Sequence, residues 1–197
     1  MEAVQKRTDI SSQQRFLDVA ADLFARNGYH ATSIRDIARA LGVTPGAVYA
    51  HFPSKARILL AVYETGVRQI GAAVDAVTDT GEAPWLTLER ACHRHLEAVL
   101  ADSGYARVVV RVLPGDVEEV AAELGLLRSE YEARFRRLID ALDLAPGTDR
   151  TLLRFTVLGA LNWSQVWYRQ GLAGPERIAG ELVRTLRQGV ATKETGQ

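Results

Sequence analysis

An all-α fold is what this chain predicts, on three observations. Apolar residues recur at three- and four-residue spacing through nearly every stretch between turn signals. No run of alternating β-branched residues long enough to make a strand interrupts them. Turn residues cluster between the periodic stretches, at Asn27-Gly28, Gly42, Pro53-Ser54, Ser103-Gly104, Pro114-Gly115 and Ala145-Pro146-Gly147. With 197 residues, 47% of them hydrophobic, the chain can bury one sizeable core or two small ones, and no more than two domains.

The elements follow in order. A first helix is expected after Ser11-Ser12, carrying Phe16, Leu17, Val19, Ala20, Leu23 and Phe24, and ending at Asn27-Gly28, where the chain must turn left-handed. Thr32 or Ser33 then offers an N-cap to a short helix with Ile34, Ile37, Ala38 and Leu41 on one face, stopped by Gly42. Thr44-Pro45 reads as cap plus first-turn proline of another short helix running to His51. Pro53-Ser54 opens a longer fourth helix over about 55–77. A linker at 78–84, with Asp79, Gly81 and Pro84, separates it from helical patterns at about 85–102, 105–113, 116–142, 148–168 and 175–189. The tail 191–197 is expected to fray. This predicts a head over residues 1–54 and a second helical domain over 55–197, with the helix at about 55–77 connecting them.

Composition narrows the function. No apolar run approaches the ~20 residues of a membrane span, and the first residues, MEAVQKRTDISSQQ, lack the apolar stretch of a signal peptide. The lone Cys92 leaves no internal disulfide and reads as a small buried hydrophobe. The expectation is a cytoplasmic protein. Net charge is zero, but it is unevenly spread. Between Ser33 and Arg57 stand Arg35, Arg39, Lys55 and Arg57 against Asp36 alone, a local net of +3. For nucleic-acid binding the distribution matters more than the total. Lys6 and Arg7 read either as a minor-groove arm or as a simple tail.

Catalytic signatures are missing. There is no glycine-rich phosphate loop, no His-x-x-x-His pair and no Gly-x-Ser-x-Gly elbow. His93 and His95 are two apart on a helix and point in different directions, so no metal site is expected. Neither enzyme activity nor a cofactor is predicted.

The informative segment is ATSIRDIARALGVTPGAVYAHFPSK, residues 31–55. Its first short helix is amphipathic and must pack down. The second presents Thr44, Gly46, Ala47, Tyr49 and His51 outward, while Val48 and Phe52, four apart, face inward. A short helix with a small-residue N-terminal end can sink into a major groove, and the Thr44 hydroxyl and free N–H groups at its start suit a phosphate oxygen.

This segment resembles the DNA-binding signature of the TetR (tetracycline repressor) family. The matching residues are Phe24-x-x-x-Gly28-Tyr29, Thr32-Ser33-Ile34, Ile37-Ala38, Gly42-Val43, Gly46-x-x-Tyr49-x-His51-Phe52 and Ser54-Lys55. The resemblance implies an N-terminal three-helix helix-turn-helix DNA-binding domain and a C-terminal helical ligand-binding and dimerisation domain. By its logic Thr32 or Ser33 caps the second helix and touches the DNA backbone, and Thr44, Tyr49 and His51 contact phosphates. Pro45, Gly46 and Ala47 belong to the helix start that approaches the bases, and Lys55 clamps a phosphate. The implied partners are double-stranded operator DNA, a small-molecule effector and a second copy of the chain, with no membrane. The implied activity is ligand-responsive transcriptional regulation, as a repressor. A helical ligand-binding protein without DNA-binding activity is the alternative.

For the second domain, residues 152–168 (LLRFTVLGALNWSQVWY) form the most apolar stretch. Trp163 and Trp167 share a face, with Phe155 and Leu158 nearby. That pattern fits a core helix or half of a dimer interface. The resemblance favours the interface, made by Phe155 and Trp167 with Ile178, Leu182 and Leu186. Candidate pocket residues from periodicity are Leu96, Val99, Leu100, Val109, Leu113, Leu127, Tyr131, Phe135 and Trp163, with His95, Arg107, Arg111 and Asn162 as polar groups. The stretch 158–169 also resembles TetR-type regulators of lipid or steroid catabolism, some responsive to acyl-CoA thioesters. That would give Arg107, Arg111 and Arg134 an anionic head group to hold. A hydrophobic drug or aromatic metabolite fits the same cavity.

Overall fold

The computed structural model describes residues 2–78, 80–169, 171 and 173–190, with side chains from Gln13 onward. Among these residues every regular element is a helix. Helix α1 (Glu2–Asn27) begins well before the expected Ser11-Ser12 start. No glycine or proline lies between Glu2 and Ile10 to stop a helix, so the backbone continues through the serines. Lys6, Arg7 and the tail at 191–197 lie outside the described side chains.

Helices α2 (Ile34–Leu41) and α3 (Pro45–His51) are short. Local chemistry closes both. Ser33 caps α2 by accepting from the Asp36 N–H, and Asp36 accepts from the Ser33 N–H in return. Those bonds hold the Asp36 carboxyl below its ordinary pKa. Gly42 ends α2 at φ +70°, a left-handed conformation that a side chain would strain. Thr44 caps α3, accepting from the Ala47 N–H, with Pro45 in the first turn.

Helices α4 (Lys55–Asp75), α5 (Pro84–Leu100) and α6 (Gly104–Arg111) follow, then two single 3₁₀ turns at Pro114–Asp116 and Glu118–Val120. Helix α7 (Ala121–Asp140), α8 (Arg150–Trp167, capped by Asp149) and α9 (Pro175–Val190) complete the chain. The stretch 116–142, read as one helix, thus opens with a 3₁₀ turn.

The helices pack as two compact units, Met1–Val67 with Asp102–Leu127 and Arg68–Ala101 with Arg128–Gln197. This division differs from a cut after residue 54. The chain leaves the first unit in the middle of α4, returns with α6 and leaves again in the middle of α7. Periodicity shows which face of each helix is apolar but not which neighbour covers it, so this interleaving is invisible along the sequence.

In the first unit α1 supplies Phe16, Leu17, Ala20, Ala21 and Phe24 to a core shared with Ile34, Ile37, Leu41, Val48 and Phe52. Helix α6 lies against α1, and closely. A side-chain carbon on Gly104 would stand 2.8 Å from backbone atoms of Ala21 and Asp22, and one on Gly66 would stand 2.6 Å from Val109. The Tyr105 hydroxyl donates to Asp18 at 2.7 Å and accepts from Gln14, and burial raises its pKa.

In the second unit α5 packs against α8 and α9. Its core holds Leu88, Ala91, Cys92, Leu96, Phe135, Ile139, Val157, Leu161, Ala179 and Val183. Cys92 is fully buried and its thiol pKa is raised by that burial, which makes it the inert apolar filler expected.

Candidate nucleic-acid interface and effector-domain core

The exposed face of α3 is the most distinctive surface of the first unit. Val48 is fully buried and Phe52 nearly so, which turns Thr44, Pro45, Gly46, Tyr49 and His51 to solvent, with Ala47 half-buried. Tyr49 is 53% exposed, unusual for an aromatic side chain with a core one residue away. Nothing in the protein requires Gly46 to be small: an added carbon there would meet only the Thr44 hydroxyl, at 3.8 Å. His51 is partly anchored, its ring 4.9 Å from that of Phe16. Arg35 and Arg39 of α2 are exposed beside it in sequence.

Two residues nominated for DNA contact sit elsewhere. Thr32 is buried, its hydroxyl donating to the Gly28 carbonyl at 2.8 Å, and the helix cap belongs to Ser33. A threonine methyl that must be covered draws the side chain inward, whereas Ser33 has none to bury. Lys55 does not reach outward as a phosphate clamp. Its ammonium donates to the carbonyls of Tyr29 and Thr32, both at 2.8 Å, and lies 4.1 Å from the Tyr29 ring centre. Partial burial lowers its pKa. Lys55 thereby ties the start of α4 to the loop that enters α2. The adjoining turn is tied to the second 3₁₀ turn by Ser54, which donates to Glu119 at 2.6 Å, and the start of α4 to that of α7 by Arg57, which donates to Glu123 at 2.9 Å.

The nominated pocket residues divide between the units. Leu96, Leu100, Tyr131, Phe135 and Trp163 are in the second, whereas Arg107 and Arg111 are in the first, with Val109, Leu113 and Leu127. Both arginines line a cleft of about 460 Å³ with Phe24, Tyr29, His30 and Asp116. Arg111 donates to the Ala25 carbonyl at 3.2 Å and Arg107 pairs with Asp102 at 2.6 Å. Helix α6 covers the end of α1, and that packing orients them. Arg134 is engaged too, gripping both oxygens of Asp75 at 2.9–3.0 Å. Trp163 is 64% exposed and lines no interior. Leu153, Val157, Leu161 and Ser164 take the inner face of α8, which leaves Leu152, Phe155, Trp163, Val166 and Trp167 on the outer one. Leu158 goes inward, away from the tryptophans. On α9, Ile178, Leu182 and Leu186 form a half-buried row.

Sequence reasoning undervalued the polar core of the second unit. His95, 1% exposed, shares a very short hydrogen bond with the Tyr131 hydroxyl, and the edge of its ring faces Phe135. Burial pushes the imidazole pKa down to about 4, an effect that the nearby Asn162 side chain partly offsets. The signal was present in the sequence: a histidine on the apolar face of α5, in register with Cys92 and Val99.

Among the described residues no helix is long and apolar enough to cross a membrane. Residues 16–62 match the family described as "Bacterial regulatory proteins, tetR family", and residues 81–190 match "Tetracyclin repressor-like, C-terminal domain". The HTH-type transcriptional repressor KstR2 of Rhodococcus jostii is 30% identical over 164 residues, 79% of this chain and 78% of that protein. A bacterial regulatory protein of the tetR family from Rhodococcus RHA1 superposes with a TM-score of 0.78 at 25% identity, covering 92% of this chain and 98% of that one. AibR, solved with isovaleryl coenzyme A and operator DNA, shares the fold with a TM-score of 0.77 at 22% identity, over 88% and 96% of the two chains. With both halves matched and a relative of this identity over most of its length, the chain belongs to the tetR family of bacterial transcriptional regulators.

Proposed function

We propose that this regulator is a repressor that acts as a homodimer on a palindromic operator and is released by a small hydrophobic effector. The observation that carries the reading is the outer face of α3: small residues, a cap hydroxyl and an exposed tyrosine on a helix whose caps and inner face are fully engaged. In this reading the start of α3 enters the major groove. Gly46 and Ala47 allow close approach to base edges, and Thr44, Tyr49 and His51 contact the phosphates alongside. Ser33 and Pro45 flank that contact, while Thr32 and Lys55 act through the loop they hold.

Two such helices must lie roughly 34–36 Å apart to enter successive major grooves. The outer face of α8, with Phe155, Trp163 and Trp167, and the α9 row Ile178, Leu182 and Leu186 supply an apolar surface for a second copy. Burying those aromatics would create a four-helix interface. The effector is taken up in the second unit, where Leu96, Leu100, Tyr131 and Phe135 lie. KstR2 is a repressor and AibR was solved with an acyl-CoA and DNA, which supports a lipid-like or acyl-CoA effector. Helix α4 belongs to both units, so an effector that prefers one position of α4 alters the spacing of the heads by its differential affinity.

The test is binding of the purified protein to fragments of its own upstream DNA across a salt series, with Tyr49→Ala beside it. Tight, steeply salt-dependent binding to one palindromic fragment, weakened about tenfold or more in the variant, is expected. Weak binding to every fragment, unchanged in the variant, would favour a helical ligand-binding protein that does not read DNA.

A further inference from the structure

Helix α4 makes two choices near its end that helix physics opposes. Gly71 stands inside the helix, where glycine is the weakest former after proline. Asp75 is the last residue, a carboxylate at the terminus where the helix dipole is already negative, and no basic residue of the last turn offsets it. Local rules broken at one spot point to something that the spot must do. Both choices meet a single side chain, Arg134 of α7. A side-chain carbon on Gly71 would stand 3.0 Å from Cζ, 3.1 Å from Nη2 and 3.2 Å from Nε of that arginine, so the missing carbon leaves the guanidinium its seat. From there Arg134 donates to both oxygens of Asp75, from Nε at 2.9 and 3.0 Å and from Nη2 at 2.9 Å. Its Nη1 donates to the Glu130 carbonyl at 3.3 Å, and its Cζ lies 5.9 Å from the Tyr131 ring centre. The Arg134 side chain is 24% exposed and that of Asp75 44%. A pair as open as this usually contributes little, but a two-pronged arginine–carboxylate grip is the exception.

The place matters as much as the grip. Helix α4 passes from the first unit to the second between Val67 and Arg68, one turn before Gly71. Just before that crossing Gly66 seats α6: a carbon on it would stand 2.6 Å from the Val109 side chain and 3.0 Å from the Tyr105 carbonyl oxygen. The crossing is therefore flanked by two glycines, the residue that leaves a backbone its widest freedom. Gly71, Asp75 and Arg134 all belong to the second unit, so the grip holds α4 on that side of the crossing.

We propose that Arg134 is a positioning residue for operator binding: by clasping Asp75 across Gly71 it fixes the end of α4 from which the head is carried. The proposal rests on the reading that the position of α4 governs operator affinity, and it adds the side chain that sets this position. Without the clasp α4 samples several positions. Only a fraction of them suits the operator, and apparent affinity falls by that fraction.

The experiment compares the full chain with Arg134→Gln, Arg134→Lys, Asp75→Asn and Gly71→Ala. It reads affinity for the upstream DNA fragment that the parent prefers, across a salt series, and hydrogen exchange along residues 60–75. Arg134→Gln and Asp75→Asn should each weaken binding about threefold to tenfold, and together no more than either alone. Lysine, with a single ammonium, should not restore the affinity. The slope of log K against log salt should stay at the parent value, because no phosphate contact is lost. Gly71→Ala crowds the guanidinium and should weaken binding in the parent, yet cause no further loss in the Arg134→Gln background, where it only favours the helix. Exchange in Arg134→Gln should quicken on both sides of the crossing. Affinity unchanged in Arg134→Gln, or losses at Arg134 and Asp75 that multiply, overturns the proposal. A lowered salt slope would make Arg134 a phosphate contact and overturns it too. A parent that binds no upstream fragment sinks the operator reading by itself, and exchange then judges the clasp alone: quickening along α4 keeps it, and none there sinks it.

Discussion

The two compact units treat buried polarity in opposite ways. In the first, Thr32 gives its proton to Gly28, Lys55 to two loop carbonyls and Tyr105 to Asp18. Among the described residues, the buried atoms Arg154 Nε, Ser164 Oγ and Gln165 Oε1, which have no partner, all lie in the second unit. Satisfied networks specify one arrangement, so these bonds hold the first unit that carries the exposed Tyr49 in a single geometry.

The comparison can be broken at four places, from the largest effect to the smallest. His95 comes first. Unfolded, its imidazole takes up a proton near its ordinary pKa of about 6.5, whereas the folded one resists until about 4. Between those values the unfolded state binds more protons, so stability falls as the pH drops through that window. The loss should reach about 3 kcal/mol. Denaturant unfolding at stepped pH should show it in the parent, and a smaller drop over the same window in His95→Phe.

Gly104→Ala is next. The new carbon would meet α1 backbone, which cannot move aside as a side-chain tip can, so a loss of about 1–3 kcal/mol is expected. Thermal unfolding measures it, and an unchanged midpoint would mean that α6 does not seat on α1 as described. Lys55→Met follows, with a loss of about 1.5 kcal/mol from the charged hydrogen bonds. Its sharper readout is the salt dependence of operator binding. A brace leaves the slope of log K against log salt unchanged, whereas a phosphate clamp would lower it by about one. Smallest is Ser33→Ala, about 1 kcal/mol for a lost helix cap, read from the same unfolding curves.

How much was legible along the chain follows the same division. The turns and caps around α2 and α3 could be read because each depends on residues within four positions: Ser33 with Asp36, Gly42 at the stop, Thr44 with Ala47. The outward face of α3 followed from Val48 and Phe52, again four apart. Long-range partners could not be read. Trp163 looked like a pocket residue and lies on an outer face, and Arg107 and Arg111 looked like ligand clamps and instead border the end of α1. An apolar or cationic side chain has the same signature in sequence whether it meets a neighbouring helix, a ligand or a second copy.

The sequence by itself determined the helical class, the order of the helices and the surface that α3 turns outward, since these follow from local periodicity, capping and one buried pair. Only the tertiary structure decided that α4 and α7 are shared between two packing units, that Lys55 braces a loop, and that His95 stands in the core beside Tyr131 and Asn162. Those outcomes depend on which distant segment arrives opposite a side chain. Burial then turns that arrangement into charge state and hydrogen-bond demand, and neither quantity belongs to a residue until its neighbours are in place.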